Sequence, residues 1–219
     1  QREQMKLYQG WHSSASWRVR WALAWKGLTY ESVWLDIAAG EQLAALEDIN
    51  PMLAVPTLLL DDGDVLFESV AIIEWLDEMY PERPLLPREA RQRAHVRALV
   101  QLINADIHPL QNTRVRKAIS LDDASQKRWA ARWIEQGLRA YEAQLSKHEM
   151  RFSVGDELTM ADLFLVPQTL NAARFGADLR DCRRVQKIFE ACMTLPEVQT
   201  THPQQAARDA ALARGSAVR

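Results

Sequence analysis

The chain is poor in cysteine. Cys182 and Cys192 are the only two, ten positions apart, with neither a Cys-x-x-Cys pair nor a nearby pair of histidines. That argues against a metal ligand set and fits a reducing compartment, where both thiols act as small apolar fillers on a helix. An excess of either charge is also missing: 27 Lys and Arg stand against 29 Asp and Glu, for a formal net charge of −2. A balance that close removes the electrostatic case for nucleic acid or an anionic membrane surface as partner. No apolar run approaches the ~20 residues a spanning helix needs, and no signal-peptide core stands near the start. The expected location is cytoplasmic. Residues 1–4, ahead of Met5, read as a tag remnant or an upstream start and stand outside the fold argument. There is no internal repeat and no low-complexity tract.

What is present begins with the stretch Trp11-His12-Ser13-Ser14-Ala15-Ser16-Trp17-Arg18-Val19-Arg20. A short extended run, Met5 to Tyr8, leads into it. Two hydroxyls stand where a helix should begin, and Trp17, Trp21 and Trp25 then recur every four residues before Lys26-Gly27 closes the segment. Serine is a preferred N-cap, and glycine just past a helix end suits a left-handed C-cap. Hydroxyls beside a positive helix end favour a bound anion, whether phosphate, carboxylate or thiolate. Taken alone, the stretch favours a serine that only caps a helix, since capping serines are common.

Thr29 to Leu35 alternates and is rich in β-formers, which predicts a second strand. Glu41 to Leu46 reads as a short helix. Thr57 to Leu60 and Val65 to Phe67 flank Asp61-Asp62-Gly63-Asp64 as a hairpin, and Glu68-Ser69 opens a helix with Ile72, Ile73 and Leu76 inward. Pro56 enters the third strand, where it supplies no N–H to a ladder. A cis bond there would turn the Val55 backbone outward toward an extended peptide ligand, while a trans bond would mark an ordinary sheet edge. The proline-punctuated run Pro81 to Pro87 is the best domain boundary. Beyond it everything reads helical: Arg91 to Asp106, Gln126 to Leu145, a capping-box signal at Thr159-Met160-Ala161-Asp162, and Arg184 to Thr194. The tail from Gln204 is Ala- and Arg-rich with no evident core face and is expected to fray.

This order of elements resembles the glutathione transferases. The motifs resemble the zeta class, which includes maleylacetoacetate and maleylpyruvate isomerases. The matching residues are Ser13 to Arg20, Asn50-Pro51 with Val55 to Leu58, Glu68-Ser69 with Ala71 to Leu76, Asp106 to Asn112, and Gly155-Asp156 with Thr159 to Asp162. The resemblance implies an α/β thioredoxin-like N-terminal domain over residues 5–86 and an all-α C-terminal domain over residues 91–212. It implies glutathione as cofactor and a homodimer. Val55 and Pro56 would pair with the cysteinyl portion, Glu68 and Ser69 would take the γ-glutamyl end, and Gln111 would reach the bound peptide. Ser13, with Ser14 alongside, would stabilise the thiolate. Ala15 stands where the class usually has cysteine, so chemistry that needs a protein thiol is in doubt, whereas isomerisation uses the sulfur of glutathione.

The implied substrate is a small dicarboxylic keto acid. Arg174 matches the arginine that anchors its carboxylate. Arg114 and His108 match residues of the maleylpyruvate-type members, and His12 stands where some of them have arginine. Arg116 and Lys117 beside Arg114 suggest an exposed basic face. The resemblance implies isomerisation of maleylacetoacetate first and of maleylpyruvate second, with thiol transfer to small α-haloacids as a third activity. A glutathione-binding scaffold without turnover is the non-enzyme alternative, and no metal is expected.

Overall fold

The computed structural model describes residues 4–36, 43–119, 122–148 and 150–216. The chain forms two compact units: one runs to Arg83 and resumes at Pro196, and the other spans Pro84–Leu195. This differs from the sequence-based division, in which the second domain ran to residue 212.

In the first unit, β1 (Lys6–Gln9), α1 (Ser14–Trp25), β2 (Glu31–Trp34), β3 (Thr57–Leu59), β4 (Val65–Phe67) and α2 (Ser69–Met79) follow in order. The sheet order is β2-β1-β3-β4; β1 pairs parallel with β2 and antiparallel with β3, and β4 returns antiparallel on β3. This is the mixed thioredoxin-like sheet that the strand–helix–strand, hairpin–helix order predicts. The short helix expected from Glu41 is a 3-10 turn at Leu43–Leu46, and positions 41–42 lie outside the described residues. Trp17 and Trp21, one turn apart on α1, are completely buried with Leu7, Leu58, Ile72, Ile73 and Leu76. The helix repeat puts one stripe of large side chains against the sheet and α2. These tryptophans are core.

The second unit is all helical: α3 (Ala90–Asn104), α4 (His108–Gln111), α5 (Thr113–Ala118), α6 (Asp123–Gln144), α7 (Met160–Phe175) and α8 (Arg183–Met193). Its centre is α7, whose residues from Met160 through Thr169 are all buried. Asp162, fully buried, closes the capping box: its carboxylate accepts from Thr159 N–H at 2.9 Å and from Ser153 N–H at 2.8 Å. Helix α7 ends on Gly176, whose φ of 71° is the left-handed C-cap conformation. Cys182 and Cys192 are both buried, and burial raises each thiol above its ordinary value. Neither offers a thiolate.

The tail does not fray over its described part. It forms α9 (Pro196–Thr201) and α10 (Pro203–Ser216), which belong to the first unit. Trp17 Nε1 donates to Thr201 Oγ1 at 3.1 Å, the His202 ring meets Trp17 edge-on at 5.2 Å, and Arg83 pairs with Glu197 at 3.0 Å. The buried face of α10 is made of Ala206 and Ala210, too small to show as an apolar stripe in sequence. No described helix is long and apolar enough to cross a membrane.

Candidate active site

In the first unit the site is built at the start of α1. Ser13 is the N-cap: its hydroxyl oxygen accepts from the Ser16 N–H at 3.1 Å, one of the orphan donors of the helix start. That bond uses a lone pair and leaves the O–H unspent, because the Ser13 hydroxyl donates to no acceptor among the described residues. Capping and hydrogen bonding to an anion are therefore compatible roles for one side chain. Ser14, the first helical residue, is buried, as is Ala15. Methyl in place of thiol at residue 15 leaves the loop without a sulfur nucleophile of its own.

Arg20 fixes this loop from beneath. It is almost fully buried, and its guanidinium donates to Gln9 Oε1 (3.1 Å), Gly10 O (3.3 Å), Thr201 O (3.3 Å) and Trp11 O (3.5 Å). Burial lowers its pKa to about 10, which leaves it charged at neutral pH. These partners are all neutral, three carbonyls and one amide. The exposed His12 ring lies edge-on to Trp11 at 5.8 Å. Arg214 of α10 covers Trp11 from the other direction, its Cζ 4.6 Å from the ring centroid, and pairs with Asp36 at 3.7 Å.

The Val55–Pro56 bond is cis. Neither the N–H nor the carbonyl of Val55 has a partner among the described residues, so this stretch of backbone is open to pairing with an extended ligand. Asn50 holds the approach to it, donating to Thr57 Oγ1 at 2.9 Å and Ala54 O at 3.2 Å. Across the hairpin, Glu68 is exposed with φ at 68°, a conformation that costs a non-glycine residue of order 1–3 kcal/mol and clusters at binding sites. Ser69 opens α2, is buried, and its hydroxyl accepts from Arg18 Nη1 at 3.3 Å. Arg18 is completely buried; desolvation pulls its pKa down to about 9 while the Glu68 carboxylate pushes it back up. A helix N-terminus, a hydroxyl and a buried cation at one point suit a carboxylate.

In the second unit the structure sorts the remaining expectations. Gln111 is buried, and both ends of its amide are engaged by Gln168, at 3.0 and 2.9 Å. The two amides satisfy each other within the helical core. His108 opens α4 and is half-buried, and Arg114 is exposed on α5. Arg174 is exposed in the last turn of α7, its Cζ 5.7 Å from the Phe175 ring centroid. Arg116, assigned by sequence to an exposed basic face, is half-buried, and its Cζ stands 5.0 Å from the same ring. Arg116 donates to Gln111 O (2.9 Å), Thr113 Oγ1 (3.1 Å) and Gln126 Oε1 (3.3 Å). No local pattern signals it, because these contacts come from three helices.

A thioredoxin-like sheet with a cis-proline, an open backbone stretch and a serine-capped first helix, joined to an all-helical unit, defines the two-domain glutathione transferase class. Family models agree: residues 12–79 match the glutathione S-transferase N-terminal domain and residues 110–200 its C-terminal domain. The chain is 40% identical over 198 residues to a probable maleylacetoacetate isomerase of Caenorhabditis elegans, covering 90% of this chain and 92% of the relative. Among solved structures, maleylacetoacetate isomerase from Anaeromyxobacter dehalogenans with bound glutathione superposes with a TM-score of 0.84 at 42% identity, covering 92% and 96% of the two chains. A bacterial maleyl pyruvate isomerase described as a zeta-class glutathione S-transferase superposes at 0.86 with 38% identity, covering 91% and 97%. The chain belongs to the zeta-class glutathione transferase and maleylacetoacetate isomerase family, whose members use glutathione.

The first unit fits that cofactor on its own geometry. The open Val55 backbone suits a peptide, the Ser69 end of α2 over Arg18 suits a carboxylate, and the unspent Ser13 hydroxyl suits a thiolate.

Proposed function

We propose that this chain is a glutathione-dependent cis–trans isomerase of a maleyl-type dicarboxylic keto acid, with maleylacetoacetate the first substrate and maleylpyruvate the second. It acts in the cytoplasm, as a homodimer, in aromatic amino acid catabolism. The observation that carries the reading is the Ser13 hydroxyl, anchored by the bond it accepts from Ser16 and left with its proton at the positive end of α1.

The bound cofactor supplies a sulfur nucleophile that adds reversibly to the cis double bond, so that the bond turns as a single bond and reforms as trans. The protein's share is electrostatics and position. The Ser13 hydroxyl donates to the thiolate, and the dipole of the twelve-residue α1 favours the same negative charge, both lowering the thiol pKa. Val55 offers main-chain pairing, Glu68 and Ser69 hold the γ-glutamyl end, and Arg18 beneath them fixes the Ser69 hydroxyl. Arg174, with Arg114 and His108 on the same unit, takes the carboxylates of the substrate; a guanidinium binds such groups through two parallel N–H bonds. Both cysteines being buried and Ala15 carrying no thiol, no protein sulfur competes in the reaction.

The test follows the ultraviolet absorbance of maleylacetoacetate and of maleylpyruvate with and without glutathione, beside a Ser13→Ala variant. Glutathione-dependent loss of one substrate, slowed in the variant, is the expected result and selects between the two. Glutathione binding with turnover of neither substrate overturns the isomerase reading and leaves a binding scaffold.

A further inference from the structure

Two cations are set around one aromatic ring in the second unit, and among the described residues no carboxylate forms an ion pair with either of them. Arg116, from α5, and Arg174, from the last turn of α7, place their Cζ atoms 5.0 and 5.7 Å from the Phe175 ring centroid. Neither forms an ion pair among the described residues. Lys127 adds a third positive charge nearby, its chain lying against Gly176, which caps α7. Gathering like charges at one point is unfavourable unless an anion offsets it. Arg116 records this: burial first, and the charge of Arg174 second, lower its pKa, while the charge of Asp123, third in order, raises it. The negative end of the α7 dipole accounts for a cation at Arg174. It does not account for a second arginine brought to the same ring from another helix.

Arg116 is also held in place. Its Nε, Nη1 and Nη2 each donate once, to Gln111 O, Gln126 Oε1 and Thr113 Oγ1. Those bonds use three of the five N–H groups a guanidinium carries and leave two for a ligand. Both guanidinium groups lie within cation–π range of the Phe175 ring. A rigid, partly desolvated guanidinium with free donors loses little entropy on binding an anion.

We propose that Arg116 and Arg174 form a two-arginine cradle around Phe175 for one carboxylate of the substrate, so that Arg116 is a further substrate-positioning residue. The proposal rests on the isomerase reading for the identity of the substrate. The chemistry it requires is a small carboxylate whose oxygens accept from both guanidinium groups at once.

Calorimetric titration with maleate, in the absence of glutathione, tests the cradle without turnover. Dimethyl maleate serves as the uncharged control. Arg116→Gln is expected to weaken maleate about tenfold, the loss of one charged hydrogen-bond partner, and to leave dimethyl maleate unchanged. Arg174→Gln behaves alike, and the double variant loses less than the product of the two, because both residues hold the same group. Arg116→Lys keeps the charge and recovers part of the loss. Maleate binding equal in wild type and Arg116→Gln overturns the proposal. So does an equal loss in the Gln and Lys variants accompanied by a matching fall in Tm, since that is the signature of a staple between α5 and α6. Tight, Arg116-dependent maleate binding without turnover of either keto acid would retain the cradle and sink the isomerase reading alone.

Discussion

Ser13 does two jobs with one oxygen, and substitutions separate them. Ser13→Ala removes both the cap and the donor: the cap is worth about 1 kcal/mol of stability, and loss of one preorganised donor to a developing or resting anion costs about a hundredfold in rate. Ser13→Asn, an equally good cap, is expected to keep the Tm of the wild type and still lose most of the activity, which thermal unfolding beside steady-state turnover would show. Ser69 gives the complementary result. Its hydroxyl accepts from buried Arg18 at the start of α2, on the side of the site assigned to the γ-glutamyl end. Ser69→Ala should raise the KM for glutathione about tenfold, the worth of one charged hydrogen bond, and leave kcat at saturating glutathione near its original value. The Ser13 cap was legible in the sequence because it bonds three residues on, whereas the partner of Ser69 lies 51 positions away and was not. Gln111 and Arg116 were not legible. Gln111 is decided by Gln168, 57 positions away, and Arg116 by residues on α4, α6 and α7.

At the scale of elements, the helices read correctly where large apolar residues recur, as on α3, α6 and α8. The misreadings fall where packing is made by small residues. A small residue also makes a close contact inside α6: a Cβ built at Gly137 would collide with the Cγ1 and Cδ1 atoms of Ile107, just before α4. The glycine serves close approach rather than a turn, since its φ is an ordinary helical one. Gly137→Ala gains intrinsic helix propensity of about 1 kcal/mol but overpacks this contact at a cost of about 1–3 kcal/mol. The net effect expected is destabilisation, read as a lower urea midpoint with unchanged m. Ile107→Ala in the same chain should relieve the clash, so that the double variant is more stable than the sum of the two single losses allows. Additive losses would show that α6 and Ile107 do not share this contact.

For the whole molecule, the chain ends in the unit where it began. Thr201, at the end of α9, bonds both Trp17 and Arg20 of α1, so α9 completes the core beneath the Ser13 loop. Sequence reading missed this because proximity along the chain assigns a tail to the helices just before it, and an alanine face gives no apolar stripe. The consequence is a pH dependence centred on His202. Its ring packs edge-on against buried Trp17, and burial first, then the charge of Arg20, hold its pKa below the ordinary 6.5. The unfolded chain therefore binds this proton more readily than the folded one. The stability so contributed is present above pH 6.5 and is lost as pH falls through the lower, folded value. Asp162 acts in the opposite sense, because burial raises its pKa from 3.8 and favours its protonated form in the fold. As pH falls its contribution grows from that raised folded value down to 3.8, so it opposes the loss at His202, and a substitution at His202 separates the two. Urea unfolding followed by tryptophan fluorescence across about pH 5 to 8 should show a midpoint that falls on the acid side. His202→Gln should flatten that fall while leaving the midpoint near pH 8 little changed. A variant as acid-sensitive as the wild type would place the titrating group elsewhere and detach the pH response from the α9–α10 seam.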